Sequence, residues 1–206
     1  MKPFTVHKGR LVALMNDGIN TDQLMPSRYL SHIEKKGFGK FLFANWRYLD
    51  DEESVPNPDF PLNYPEHQGA SILVAGDNFA GGSSREHAVW GLMDYGFRVV
   101  IAGNYNDIFY NNSLQNGLLA ITLPKEERVA LSELPPETEI TVNLETQTIE
   151  TPEATYHFDI NQENRHKLLH GIDDITQTLE YDGVISAYEH KWNDFYQPQD
   201  RAERQA

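Results

Sequence analysis

Apolar positions in the middle of the chain fall into short blocks separated by punctuation. Ser71-Ile72-Leu73-Val74-Ala75 is a compact apolar run ending at Gly76, the pattern of a buried strand. A glycine- and serine-rich segment follows. Then Val89, Leu92 and Met93 recur at i, i+3, i+4 with Trp90 beside them, which predicts a helix that Gly96 stops. Phe97-Arg98-Val99-Val100-Ile101-Ala102 predicts the next strand. Strand, helix, strand at this length is a βαβ unit, so its two strands should be parallel.

The same rhythm repeats once. Asp107 to Leu114 predicts a short helix and Gly117 to Leu123 a buried strand ended by Pro124. Glu126 to Leu134 predicts another helix, and Pro135-Pro136 a turn. Ile140, Val142 and Leu144 alternate with polar residues, as do Tyr156, Phe158 and Ile160, which predicts a hairpin of half-exposed strands. Helices are expected over Arg165 to His170 and Asp182 to Trp192. Ser54 to His67, with its prolines, reads as an ordered loop. Together these elements imply an α/β fold with a parallel βαβ core plus antiparallel hairpin strands. One domain over residues 1–196 is expected, with a polar, frayed tail over 197–206.

Composition sharpens this by exclusion. The chain has 31 Asp and Glu against 17 Lys and Arg, a formal charge of −14, which repels phosphate backbones and argues against nucleic acid. An anionic ligand must therefore be held by a local device. No apolar run is long enough to cross a membrane, and the N-terminal residues lack a signal-peptide core, so a cytoplasmic location is expected. With no cysteine, the chain can form no disulfide, thiolate nucleophile or Cys-ligated iron–sulfur cluster.

The local device is found between the first βαβ strand and its helix. Ser83-Ser84-Arg85-Glu86 fits a capping box, with Ser83 as cap and Glu86 reaching back. A tight turn followed by a capped helix would explain that much. Gly81 and Gly82, however, leave backbone N–H groups bare at a helix N-terminus, and Arg85 adds a guanidinium suited to a carboxylate. Asn78 and His87 add polar groups around the turn. Competing motifs fail. A P-loop lacks its lysine, a nucleophile elbow would need glycine at Arg85, and Ser83 and His87 on one helix do not form a hydrolase triad. His166 and His170 stand at i, i+4 with no further ligand to complete a metal site.

The run Asn78-Phe79-Ala80-Gly81-Gly82-Ser83-Ser84-Arg85-Glu86-His87 resembles the swivelling domain of the aconitase superfamily. More narrowly it resembles the small subunits of bacterial 3-isopropylmalate dehydratases, which usually read Asn-Phe-Gly-Cys-Gly-Ser-Ser-Arg-Glu-His. Here Ala80 replaces the first glycine and Gly81 the cysteine. Three further segments resemble the family in the same order: Asn20-Thr21-Asp22-Gln23 with Pro26, Asp107-Ile108-Phe109-Tyr110-Asn111 with Asn116-Gly117-Leu118-Leu119, and Gly171-Ile172-Asp173-Asp174. The resemblance implies a swivelling β/β/α domain that moves a hydroxyl between neighbouring carbons of a dicarboxylate. It implies no cofactor in this chain and a [4Fe–4S] cluster in a partner, the large subunit of isopropylmalate dehydratase.

By the same resemblance Ser83 is the catalytic base. Ser84, Arg85, Gly81 and Gly82 bind substrate, and Arg28, Tyr29 and Leu30 contact its variable group. Asn20, Thr21, Asp22, Gln23, Asn78 and His87 line the cleft or meet the partner. A small subunit acting on homocitrate or a methyl-substituted malate remains open, as does a non-catalytic binding module.

Overall fold

A computed structural model describes residues 1–31, 36–82, 85–172, 174–179 and 181–196. Residues 1–171 form one compact unit, and a second unit begins at Ile172. The expected tail, 197–206, lies outside the described residues.

The first unit is built on a mixed seven-stranded sheet. In chain order its strands and helices are β1 (Val6–Leu14), α1 (Thr21–Leu24), α2 (Ala44–Arg47), β2 (Ile72–Ala75), α3 (Glu86–Tyr95), β3 (Val99–Ala102), α4 (Asp107–Asn116), β4 (Leu119–Thr122), α5 (Lys125–Ser132), β5 (Glu139–Asn143), β6 (Thr148–Glu150), β7 (Thr155–His157) and α6 (Gln162–His170). The sheet order is β4-β3-β2-β1-β5-β6-β7. β1 to β4 run parallel, and β5 to β7 form an antiparallel meander. The two expected βαβ units are β2-α3-β3 and β3-α4-β4.

β1 joins the two halves, and it is an element that the apolar blocks did not predict. Val6 to Arg10 pair antiparallel with β5, whereas Leu11 to Leu14 pair parallel with β2. Gly9 sits near the change of partner because a Cβ there would stand 2.1 Å from Ser71 Oγ. The predicted hairpin also needs correction. Between the 140–144 and 156–160 segments lies β6, so those two strands are not neighbours.

Strand alternation sorts the core into two layers. Leu73, Ala75, Val100 and Ala102 face a layer with Val89 and Leu92 of α3 and the aromatics Phe38, Phe43 and Phe60. Ile72, Val74, Val99 and Ile101 face the other, with Leu131 of α5 and Leu168 of α6. Central strands covered on both sides need no polar alternation, which accounts for their continuous apolar runs.

The second unit holds α7 (Asp174–Leu179) and α8 (Asp182–Tyr196), the latter four residues longer than expected. Leu179, Tyr181, Val184 and Tyr188 are exposed. Among the described residues no helix is long and apolar enough to cross a membrane.

Candidate active-site turn

The glycine-rich turn leaves the C-terminal end of β2, between the loops that leave β1 and β3 at the same end of the sheet. In open α/β sheets this is where ligands bind. Main-chain hydrogen bonds strap the turn to both neighbours. On the β1 side, Ala80 N–H donates to the Ile19 carbonyl (2.6 Å), Thr21 N–H to the Gly81 carbonyl (2.9 Å), and Gly18 N–H to the Asp77 carbonyl (2.7 Å). On the β3 side, Phe79 N–H donates to the Asn104 carbonyl (3.0 Å) and Asn106 N–H to the Phe79 carbonyl (3.1 Å). The backbone alternates into the left-handed region at Asn78 (φ 54°), Ala80 (φ 59°) and Gly82 (φ 97°). For the buried Ala80 this conformation costs about 1–2 kcal/mol, and glycine would adopt it freely.

Ser83 and Ser84 lie outside the described residues. Helix α3 starts at Glu86, with Arg85 as its N-cap, so the cap lies two residues later than the Ser83 box predicts. The Glu86 carboxylate accepts from Trp90 Nε1 (3.1 Å) and Asn116 Nδ2 (2.8 Å), which ties α3 to α4. Glycines 81 and 82 and Arg85 thus stand at the positive end of a ten-residue helix.

Arg85 is mostly covered, its side chain 15% exposed. Nη1 donates to Asp22 Oδ1 and to the Met25 carbonyl (3.3 Å). Both bonds leave from one nitrogen, so the Nε–Nη2 edge, which has the two-pronged geometry that a carboxylate fits, carries no bond among the described residues.

Asp22 is placed by α1. Asn20 Oδ1 accepts from Gln23 N–H (2.9 Å) and Gln23 Oε1 from Asn20 N–H (2.7 Å), a complete capping box. Asn20, Asp22 and Gln23 therefore shape a short helix whose exposed carboxylate orients Arg85. Thr21 is 2% exposed, and its hydroxyl has no partner among the described residues. It lies 3.4 Å from where a Cβ on Gly82 would stand.

The remaining expected residues occupy the flanks. Asn78 sits exposed in the turn, its N–H donating to Asn104 Oδ1. His87 packs between Phe38 and Trp90 (centroids 5.4 and 4.7 Å). Burial lowers its pKa, outweighing the Glu86 carboxylate, which raises it, and helped by a weaker push from the Arg85 cation. Arg28 lines an open cleft of about 350 Å³ with Asn45, Tyr48 and Asp50. Its Nη1 donates to Asn45 Oδ1 (2.6 Å) and its Nε to Tyr29 Oη (2.7 Å). Tyr29 is buried and stacked on Phe41 at 4.0 Å, and Leu30 is half-buried. A neighbouring cleft of about 390 Å³ at the end of β1 is lined by Met15, Asn16, Asn45, Trp46, Asn57 and Phe60.

Two participants escaped the sequence reading, Asp77 and Arg128. Arg128 is 2% exposed and reaches from α5 beneath the turn, where it donates to Asp77 Oδ1. Lys125-Glu126-Glu127-Arg128 looks like a solvated helix face. The available signal was that Arg128 and Leu131 share one face, the buried one, while apolar Val129 points outward. Among the described residues no group of three or more His, Asp or Glu could hold a metal ion.

Known proteins share this sequence and fold. Residues 1–126 match the family described as the Aconitase C-terminal domain, and residues 130–162 match that described as LeuD_N. The chain is 56% identical over 197 residues to the 3-isopropylmalate dehydratase small subunit of Streptococcus suis (strain 05ZYH33), covering 96% of this chain and 100% of the relative. It is 54% identical over 191 residues to the same-named subunit of Lactococcus lactis subsp. cremoris (strain MG1363), covering 93% and 99%. A solved 3-isopropylmalate dehydratase from Methanocaldococcus jannaschii superposes with a TM-score of 0.65 at 23% identity, over 89% of this chain and 99% of that one. At that identity the likeness concerns the fold.

Proposed function

Because the chain belongs to the family of 3-isopropylmalate dehydratase small subunits, we propose that it supplies the base and the carboxylate clamp of a two-subunit hydro-lyase of leucine biosynthesis. The reaction interconverts 2-isopropylmalate and 3-isopropylmalate. A proton leaves one carbon, hydroxide leaves its neighbour, and the resulting water adds back with the hydroxyl on the other carbon.

In this reading Ser83 takes the proton from carbon. A serine alkoxide is a strong base but a rare species, and it needs positive charge aimed at the oxygen. The α3 N-terminus and the Arg85 cation are the available sources. Arg85 receives a substrate carboxylate on its Nε–Nη2 edge while Asp22 and the Met25 carbonyl hold Nη1. Ser84 and the N–H groups after Gly81 and Gly82 shape the rest of the socket. Arg28, Tyr29 and Leu30 border the variable group of the substrate. The observation that carries the proposal is Arg85: a mostly covered guanidinium at the end of the parallel sheet, fixed by one nitrogen, whose bidentate edge carries no bond among the described residues.

This chain does not fit an iron–sulfur cluster, since it contains no cysteine. The Lewis acid that assists the departing hydroxyl therefore belongs to the large subunit in our reading, and the assembled enzyme is cytoplasmic. The test is reconstitution with a cluster-loaded large subunit. Neither chain alone should interconvert isopropylmalates, and the mixture should prefer them to homocitrate and citramalate. Activity from this chain alone, or preference for either other substrate, overturns the proposal.

A further inference from the structure

Beneath the turn lies a polar device that the chemistry above does not use. The Arg128 guanidinium makes three bonds to three separate places. Nε donates to the Leu123 carbonyl just past β4 (3.1 Å), Nη1 to the Ala75 carbonyl at the last residue of β2 (2.8 Å), and Nη2 to Asp77 Oδ1 in the turn itself. Asp77 is held by its main chain as well. Its N–H donates to Asp17 Oδ1 (2.7 Å), and its carbonyl accepts from Gly18 N–H (2.7 Å). Gly103 makes room for the pair. A Cβ at that position would stand 1.8 Å from Asp77 Oδ1 and 2.5 Å from Arg128 Nη2, so a side chain at residue 103 would drive the pair apart.

Stability alone gives little reason to keep such a pair. Burying a cation removes its hydration, and an apolar side chain of similar volume usually serves a core as well or better. What the pair does provide is geometry. A planar fork with three fixed donors sets the distance between the exits of β2 and β4 and the first turn residue with a side-chain anchor.

We propose that Arg128 is a positioning residue for the reaction. Through Asp77 it fixes the point at which the active-site turn leaves the sheet, and so the placement of Arg85 eight residues later. The inference rests on the reading of that turn as catalytic. Displacing a reacting group by about 1 Å costs up to about 100-fold in rate, so a small release of Asp77, which leaves Arg85 able to hold the carboxylate but aims it wrongly, is enough to lower kcat without raising KM.

The test compares Arg128→Met and Arg128→Lys with Leu168→Ala, a core variant in the layer around Leu131 and away from the turn. Two measurements are made: hydrogen exchange of the 77–82 amides in the chain alone, and kcat and KM of the reconstituted complex. Arg128→Met should speed exchange of those amides at least tenfold with α6 unchanged. It should lower kcat at least tenfold while KM stays within twofold, and Arg128→Lys should recover part of the loss. Leu168→Ala should lower the Tm comparably and leave kcat within twofold. Unchanged exchange in the turn, or a kcat loss no larger than that of Leu168→Ala, overturns the proposal. If Arg128→Met does not fold, Asp77→Asn must show the same split, and normal kcat in that variant overturns it equally. Should the unmodified complex lack isomerase activity, the functional reading falls, and the exchange measurement alone decides whether Arg128 positions the turn.

Discussion

Arg85→Lys tests the clamp with the smallest available change, because lysine keeps the positive charge and much of the length. What it removes is the planar edge. Nη1 of the arginine is bonded to Asp22 and to the Met25 carbonyl, and among the described residues nothing occupies Nε and Nη2, the edge for two parallel bonds to a carboxylate. An ammonium is a point donor and retains one of those two at best. Hydrogen bonds to charged groups contribute about 1.5–3 kcal/mol each, so losing one predicts a fall of about 10- to 150-fold in kcat/KM. A carboxylate is held before and during the reaction, so most of the loss should appear as a higher KM. Folding should be little affected, since lysine keeps a positive charge opposite Asp22, whose carboxylate is 59% exposed. The assay follows the unsaturated dicarboxylate intermediate by its ultraviolet absorbance in the reconstituted complex, beside a melting curve for each chain. A kcat/KM within twofold of the unmodified complex, with an intact melt, would refute the clamp.

Three further outcomes follow from the same structure. Thr21→Val replaces a buried hydroxyl that has no partner among the described residues with a methyl of similar size, so the Tm should hold or rise and kcat should drop; a lower Tm would show that the hydroxyl has a partner. Tyr105 Oη contacts the Val100 and Ile121 carbonyls (2.8 and 2.7 Å), and burial raises its pKa well above the ordinary phenol value; Tyr105→Phe should cost about 1–3 kcal/mol by urea unfolding, and a loss below about 0.5 kcal/mol would contradict it. His7 and His87 are both pushed below the ordinary imidazole value of 6.5, chiefly by burial. The folded chain therefore binds fewer protons than the unfolded one, so stability is full above pH 6.5 and falls as pH drops below it. Urea midpoints at pH 8 and pH 5.5 measure this, and His7→Gln should flatten the difference.

Much of the first unit was legible because its central strands are short, apolar throughout and closed by glycine or proline. Ile72 to Ala75 and Val99 to Ala102 are buried on both faces and admit no other reading. β1 was not legible, for a physical reason. Val6-His7-Lys8-Gly9-Arg10 lies on the antiparallel half with several polar side chains partly exposed, and Leu11 to Leu14 lie in the parallel core. Neither period extends across the whole strand. β6 offers only Thr148-Ile149-Glu150, too short for alternation to register. In the site, the turn was visible as a local pattern and the Asn20–Gln23 segment through its resemblance to the family. The Arg85–Asp22 and Arg128–Asp77 pairs were not, because they join residues 63 and 51 positions apart.

The straps on the turn run from main chain to main chain: Ala80 to Ile19, Thr21 to Gly81, Phe79 to Asn104. None of these bonds consults a side chain. The peptide path can therefore persist while the letters printed on it drift, which leaves room for Ala80 and Gly81 where the pattern that the turn resembles has glycine and cysteine. For protein engineering this separates scaffold from content. Position 81, where an added Cβ would meet only the Asn78 carbonyl at 4.0 Å, is a mounting point for a new polar group, its alignment secured by the neighbouring loops, whereas Gly82 at φ 97° is not.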